Sequence, residues 1–391
     1  MKGLLIMSKT TKVLLTVVIT LLVMLAALAV VICLGKMGII GTQETVPTTE
    51  PTTEATTEAT TEATTEPTTE PTTEPTTEPP TEPPVIYRNP LTGEILEEPL
   101  TNRIFAVSIS NVPDAIPHIG VTQCDMLFEM FIVTGAVRCL GLYTNIEEVP
   151  QIGSVRSTRY NFTDIGQAYD AFVAHAGGSD VVLKDVRKSG IDNKNIDTGS
   201  STQYSFRDKE RNKAGWGMVH CLFVNGPGLK QWAADNGYRV AHEEEKTYGL
   251  NFVDEGALEA GETANTINIH MLYKNNRKMT TMVYDEELGE YVYNQFDKVM
   301  VDGKTGEVES FENVFILKVK ESYSGVYLVA ELLGGGDGYY ACDGKIIPIK
   351  WTRENDTDPF TFTMEDGTPL YQNVGTSYVN LAPLDSQISW E

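Results

Sequence analysis

Three regimes of apolar and polar positions succeed one another along the chain. An uncharged apolar run from Val13 to Leu34 comes first. From Thr48 to Pro84 no large apolar residue occurs at all. After that, short patterned runs continue to the C-terminus. Phe105 to Ser110 alternates, which predicts a strand with Phe105, Val107 and Ile109 on one face. Asp125–Val133 and Ala136–Tyr143 flank Thr134-Gly135 and predict a β-hairpin. A helix is expected from about Phe162, with Phe162, Ile165 and Tyr169 inward and Asn161 or Thr163 as its cap. Ala171 to His175 predicts a buried strand that ends in Gly177-Gly178-Ser179, before a helical segment Asp180–Lys188. Tyr204 to Arg207 leads into a basic polar loop through Lys213. Leu229, Trp232 and Ala233 mark one face of a helix ending near Gly237, and Phe252 is expected to return to the same core.

From Thr266 the period becomes that of strands. Ile267, Ile269 and Met271 alternate, as do Met282 with Tyr284 and Tyr291 with Tyr293. Phe315–Val319, Val326–Leu332, Lys345–Lys350 and Phe360–Thr363 continue the pattern. Gly334 to Gly338 reads as a flexible turn, and Asp366-Gly367 as another. The expected fold class is α/β (α+β). A layered mixed-sheet N-terminal lobe spans 85–261, and a β-rich C-terminal lobe spans 262–391.

The apolar run changes the picture of where the protein sits. It is about 22 residues long, enough to cross a bilayer as a helix. Lys2, Lys9 and Lys12 precede it, which favours an N-terminus on the cytoplasmic side. Residues 1–36 are thus expected to be a single-pass membrane anchor. Cys33 follows Val30-Val31-Ile32 and lacks the small residues that a lipid-attachment site needs, so a transmembrane anchor is preferred to a lipid one. Residues 37–84 read as a stalk. Thr-Thr-Glu recurs with Pro or Ala in the fourth place, and a glutamate returns every four residues from Glu50 to Glu82. Such a segment has no core to form, and proline with like-charge repulsion keeps it extended. At about 3 Å per residue it reaches on the order of 100 Å.

Net charge is -24. That balance argues against nonspecific nucleic-acid binding and against broad adhesion to anionic lipid. Five cysteines are present, with no C-x-x-C pair. Cys124 and Cys139 lie in apolar runs and read as small buried thiols.

Candidate chemistry concentrates in Ile152 to Gly178. Arg156, Ser157 and Arg159 lie in one turn-rich segment, and His175 closes a strand before Gly177, Gly178 and Ser179. Two arginines are suited to a carboxylate or phosphate, and glycine amides let such a group approach. Arg138 is expected to line the same concavity. Asp125, Glu129, Asp164, Asp170, Arg207 and His220 are the supporting polar candidates. In the competing reading Asp125, Glu129, Asp164 or Asp170 pairs with the arginines and merely braces the loop, and Asp125, Glu129 and Arg138 form one ion network. A hydrolase would use His175 with Asp170 or Asp125, with Ser179 or water as nucleophile, or Asp125 and Glu129 as a carboxylate pair. No G-x-S-x-G elbow, Walker lysine or spaced G-x-G-x-x-G appears, so no cofactor is expected. His118, His175 and His220 are scattered and show no zinc-enzyme spacing.

Asn89-Pro90-Leu91-Thr92-Gly93, Gly153 to Arg159, His175 to Ser179, Phe206-Arg207, Asn313-Val314, Asp343-Gly344-Lys345, Trp351 and Asp366-Gly367 together resemble the YerB-like family of bacterial extracytoplasmic proteins. The resemblance covers essentially the whole globular part, in two segments. It implies a layered α/β fold with two sheets, attachment to the outer face of the cytoplasmic membrane, and no settled biochemical activity. Asn294 stands where similar proteins tend to carry arginine. The function classes that follow are a ligand-binding module for cell-wall fragments or an acidic polymer, an envelope hydrolase, and a scaffold for a membrane or wall enzyme.

Overall fold

The computed structural model describes residues 86–391 except 244, 245, 255 and 259. The anchor and stalk expectations, residues 1–84, lie outside the described residues. Among the described residues no helix is long and apolar enough to cross a membrane.

The N-terminal half supplies strands β1 (Phe105–Asn111), β2 (Met126–Val133) and β3 (Ala136–Tyr143). Next come the short β4 (Ile152–Gly153), helix α1 (Tyr160–Ala168) and β5 (Phe172–His175). Helix α2 (Asp180–Ser189), β6 (Asn193–Asn195), β7 (Ser205–Arg207), α3 (Lys209–Lys213), β8 (Leu222–Val224) and α4 (Gly226–Asp235) complete it. The C-terminal half is built of β9 (Thr266–Tyr273), β10 (Asn276–Asp285), β11 (Glu290–Gln295), β12 (Asn313–Ser324), β13 (Tyr327–Glu331), β14 (Gly334–Cys342), β15 (Lys345–Arg353), β16 (Ser377–Pro383) and β17 (Gln387–Trp390).

A twelve-stranded sheet forms the centre. The expected hairpin is there, with Phe128 opposite Leu140 and Met130 opposite Arg138. β1 lies antiparallel to β3 and parallel to β5. β16 runs parallel to β12 on one side and to β2 on the other, so one sheet takes strands from both sides of residue 262. β1, β2 and β16 are almost wholly buried. That explains the near-continuous apolar run of β2, because a strand covered on both faces has no solvent side to mark with polar residues.

One face of the sheet carries Phe105, Val107, Leu127 and Cys139. It is covered by β8 and α4 in one half and in the other by a six-stranded sheet that includes β9, β10, β11 and β17. The opposite face carries Ala106, Met126, Phe128 and Leu140 and packs against Phe162, Ile165 and Tyr169 of the α1 region. The architecture is therefore mixed α+β with few helices. Cys124, Cys139, Cys221 and Cys342 are free and buried.

Four local expectations are corrected. Helix α1 begins at Tyr160 with Arg159 at its N-cap, so Asn161 and Thr163 lie inside it. The Asn161 side chain instead bridges to β13, donating to Ala330 O at 2.7 Å and accepting from Ala330 N at 2.9 Å. Residues 209–213 form a helix rather than a loop, because Asp208 caps it by accepting from Arg211 N at 2.9 Å. Phe252 lies against Gly93 and opposite Gln372, outside the core of α4. The glycines from Gly334 to Gly338 are strand, paired residue by residue with β15. A Cβ on Gly336 would stand 2.8 Å from both Lys318 O and Trp351 Nε1, so the glycines serve close approach and not flexibility.

Candidate functional site

The site is built where β1, β3 and the chain after β4 meet. Residues 154–158 are laced to their neighbours by backbone bonds. Ser110 N donates to Ser154 O at 2.8 Å, Arg156 N to Ser108 O at 2.9 Å, and Val155 N to Leu222 O at 2.8 Å. On the other side, Thr158 N donates to Gly177 O and Ala176 N to Arg156 O, each at 2.9 Å. The segment from Arg156 to Arg159 is therefore held against the Gly177-Gly178 turn, as the sequence implied.

Two arginines, Arg138 and Arg159, share the Ser157 carbonyl, and a third, Arg156, binds a different one. Arg138 reaches across from β3, opposite Met130 and Ser110, and its Nη1 donates to Ser157 O. Arg159 Nη1 donates to Thr158 O at 2.6 Å and to Ser157 O at 3.4 Å. Arg156 Nη1 donates to Val219 O at 3.2 Å. The Arg159 guanidinium also lies 5.1 Å from the Tyr327 ring centre. Among the described residues no carboxylate lies within 4.0 Å of any of the three. Arg138 is 6% exposed. Burial, and then the like charges of Arg159 and Arg156, hold it well below the ordinary arginine range. Burial also lowers Arg156 and Arg159.

The carboxylates expected to brace these arginines are engaged elsewhere. Asp125 accepts from Thr144 N at 2.6 Å and Asn89 Nδ2 at 2.7 Å. Asp170 pairs with Arg103 and Arg239. Asp164 accepts from Asn161 Nδ2 at 3.2 Å and is pushed up to about 6 by burial. Glu129 is on the other face of the hairpin from Arg138, since Glu129 pairs with Cys139 and not with Arg138. The expected Asp125–Glu129–Arg138 network is thus absent: pleat alternation sends Glu129 and Arg138 to opposite sides of the sheet.

His175 is buried, with Nδ1 at 2.9 Å from Gly177 O and Nε2 at 3.2 Å from Asn193 Oδ1. Burial lowers its pKa. It touches neither Asp170 nor Asp125, so the proposed base–carboxylate pairs are not assembled. Ser179 is the N-cap of α2, and its Oγ is buried without a partner. Arg207 is compensated by Asp197 at 2.7 Å, and both border a hollow of about 140 Å3 together with Arg156, Ser157 and Val219. His220 stands beside a separate, larger cleft. His118 is buried against Glu309, with Nδ1 at 3.1 Å from Oε2. The three histidines do not converge, and among the described residues no His/Cys/Asp/Glu group is placed to hold a metal ion.

Sequence reasoning missed the partners of Glu129. Asn111 Nδ2 (2.6 Å), Thr280 Oγ1 (2.9 Å), Asn380 Nδ2 (3.1 Å), Tyr293 OH (3.2 Å), Lys278 Nζ (3.4 Å) and Tyr378 OH all point at its carboxylate. These residues come from four strands of the two large sheets, and only the lone acid within an apolar run hinted at them.

Residues 91–239 match the family described as "Protein of unknown function (DUF3048) N-terminal domain", and residues 267–379 match its C-terminal domain. The chain belongs to this family. A Bacillus subtilis (strain 168) member named "Putative lipoprotein YerB" is 25% identical over 303 residues, covering 75% of this chain and 86% of the relative. The crystal structure of YerB from Bacillus subtilis shares the fold, with a TM-score of 0.66 at 22% identity over 77% of this chain and 99% of that one. The YerB-like resemblance drawn from the motifs is confirmed. The arginine cluster falls inside the N-terminal family segment, and Asn294 inside the C-terminal one, where its Nδ2 donates to Val292 O at 2.9 Å.

Proposed function

We propose that this protein is a noncatalytic module of the bacterial cell envelope, tethered to the membrane and binding an anionic ligand at Arg138, Arg156 and Arg159. One observation carries the reading: three arginines act on one another's charge, two of them on one carbonyl, without a carboxylate partner among the described residues. Buried like charges raise one another's energy, and an oxyanion relieves both the repulsion and the lost solvation. Arg159 Nε is buried and unbonded, which leaves a donor for such a ligand. The amides beginning α2 carry no side-chain cap and lie beside the same segment.

The tether rests on the leader and the Thr-Thr-Glu stalk, and on the lipoprotein named among the relatives. The leader favours a single-pass helix with the N-terminus inside. A lipidated Cys33 at the mature N-terminus, found by mass spectrometry of membrane-extracted protein, would replace that helix by a lipid anchor.

The ligand reading is tested by calorimetric titration of the detergent-purified full chain with inorganic phosphate. Each charge-assisted bond is worth about 1.5–3 kcal/mol, so Arg156→Ala and Arg159→Ala are each expected to weaken binding by ~10-fold or more while the melting temperature stays within a few degrees. Unchanged affinity in the double variant, or variants that fail to fold, would return the arginines to a bracing role.

A further inference from the structure

The 140 Å3 hollow at Arg156 does not stand alone. A cleft of about 550 Å3 adjoins it, lined by Asp114, Trp216, Gly217, Val219 and His220. Val219 borders both spaces, and its carbonyl is bound by Arg156 Nη1 at 3.2 Å. The Arg156 charge reaches His220 as well, adding to burial in lowering its pKa. The two spaces therefore share one wall residue, Val219, whose carbonyl Arg156 binds.

The walls of the larger cleft have a definite chemistry. Trp216 is half-buried and fixed. Its indole N–H donates to Ile116 O at 3.3 Å, its carbonyl accepts from Asn212 Nδ2 at 2.9 Å, and the Arg211 guanidinium lies over the ring at 4.9 Å. Asp114 is exposed at the rim as an acceptor. His220 Nδ1 is buried with no hydrogen-bond partner. A rigid indole offers a flat apolar surface for the C–H face of a sugar ring, while a carboxylate and an imidazole answer hydroxyl groups at its edge. The volume lies within the usual range of small-molecule sites.

We propose that the paired spaces form one binding site for a saccharide bearing an oxyanion, with the ring on Trp216 between Asp114 and His220 and the charged group at Arg156. This rests on the anion reading above and names its ligand class. A phosphate or a carboxylate on the sugar would satisfy the same guanidinium.

The test is a set of titrations of the full chain with inorganic phosphate, glucose, glucose 1-phosphate and glucuronate. At least one of the two charged sugars should bind ~10-fold or more tightly than both phosphate and glucose, because the linked groups are held together. Which of the two wins identifies the oxyanion. Trp216→Leu should abolish that gain and leave phosphate binding unchanged. Trp216 emission should also respond to the charged sugar, so the fluorescence change should vanish in the same variant. Should Trp216→Leu melt well below wild type, Asp114→Asn with His220→Gln takes its place, and the gain should again be lost. Phosphate binding that depends on Arg156, with no gain from the sugar or a gain that survives these variants, overturns the linked site and leaves the anion site standing. Binding of none of the four overturns both.

Discussion

Two buried charges occupy adjacent registers of one hairpin, and their surroundings differ completely. Glu129 on β2 is fully buried, and six side chains direct donors at it. Arg138 on β3 is nearly as buried, yet its one hydrogen-bond acceptor among the described residues is the Ser157 carbonyl, and its charged neighbours are Arg156 and Arg159. The protein has replaced the water around Glu129 with its own groups and has left the charge of Arg138 unanswered. A saturated site closes two sheets on one another. An unsaturated one keeps a demand that a ligand can meet.

The sharpest break of this comparison is Glu129→Ala. It would remove the acceptor shared by Asn111 and Asn380 and the counter-charge of the largely buried Lys278, and loss of one partner in such a network costs about 3–5 kcal/mol. Urea denaturation should show a loss of that size. A loss under ~1 kcal/mol would mean the six contacts hold nothing together.

A third buried ionisable group sharpens the contrast. Glu321 on β12 is 8% exposed, and neither carboxyl oxygen has a hydrogen-bond partner. Burial alone pushes it up to about 8. Its folded-state pKa lies above the unfolded one, so its contribution is fully present below about pH 4.5 and is lost as pH rises through about 8. Glu321→Gln should erase that decline and gain about 2–4 kcal/mol over wild type between pH 5 and pH 8. His175 and His220 have lowered values, so the stability tied to their neutral forms is present above the ordinary histidine pKa of about 6.5 and is lost as pH falls through the lowered ones. That slope is common to both proteins and cancels in the difference. A pH-independent difference would place Glu321 in contact with water.

Much of the fold was legible because its strands are long and their apolar runs follow burial. The hairpin at Thr134-Gly135, the strand at Phe172, the α2 segment and the alternation after Thr266 all appear where the pattern placed them. The glycine run at Gly334 misled, because glycine marks both a free turn and a strand pressed against a neighbour, and only the packing of Trp351 separates them. Within the site, the turn carrying Arg156 and Arg159 could be seen to meet Gly177, since both lie close in sequence. The partners of Asp170 could not, because Arg103 and Arg239 lie 67 and 69 residues away. The same holds for Trp216, which approaches Ile116 across 100 residues. Local spacing reports on which residue types are present, whereas which acid meets which base is decided by sheet order.

Arg138→Met provides the finest test of the comparison, since its expected effect on stability is small where that of Glu129→Ala is large. Methionine keeps the length of the side chain and removes a charge that burial and two like charges disfavour. Ser157 O would not be orphaned, because Ser108 Oγ at 3.4 Å and Arg159 Nη1 at 3.4 Å still reach it. Replacing a buried charge by an apolar group of similar volume is commonly neutral or stabilising. The expected outcome in urea is a change within ~1 kcal/mol of wild type, in either direction, together with a ~10-fold or greater loss of phosphate affinity. A destabilisation beyond ~2 kcal/mol with phosphate affinity intact would make Arg138 a brace like Glu129, and the distinction between a closed charge and an open one would fail at the residue where it is most clearly drawn.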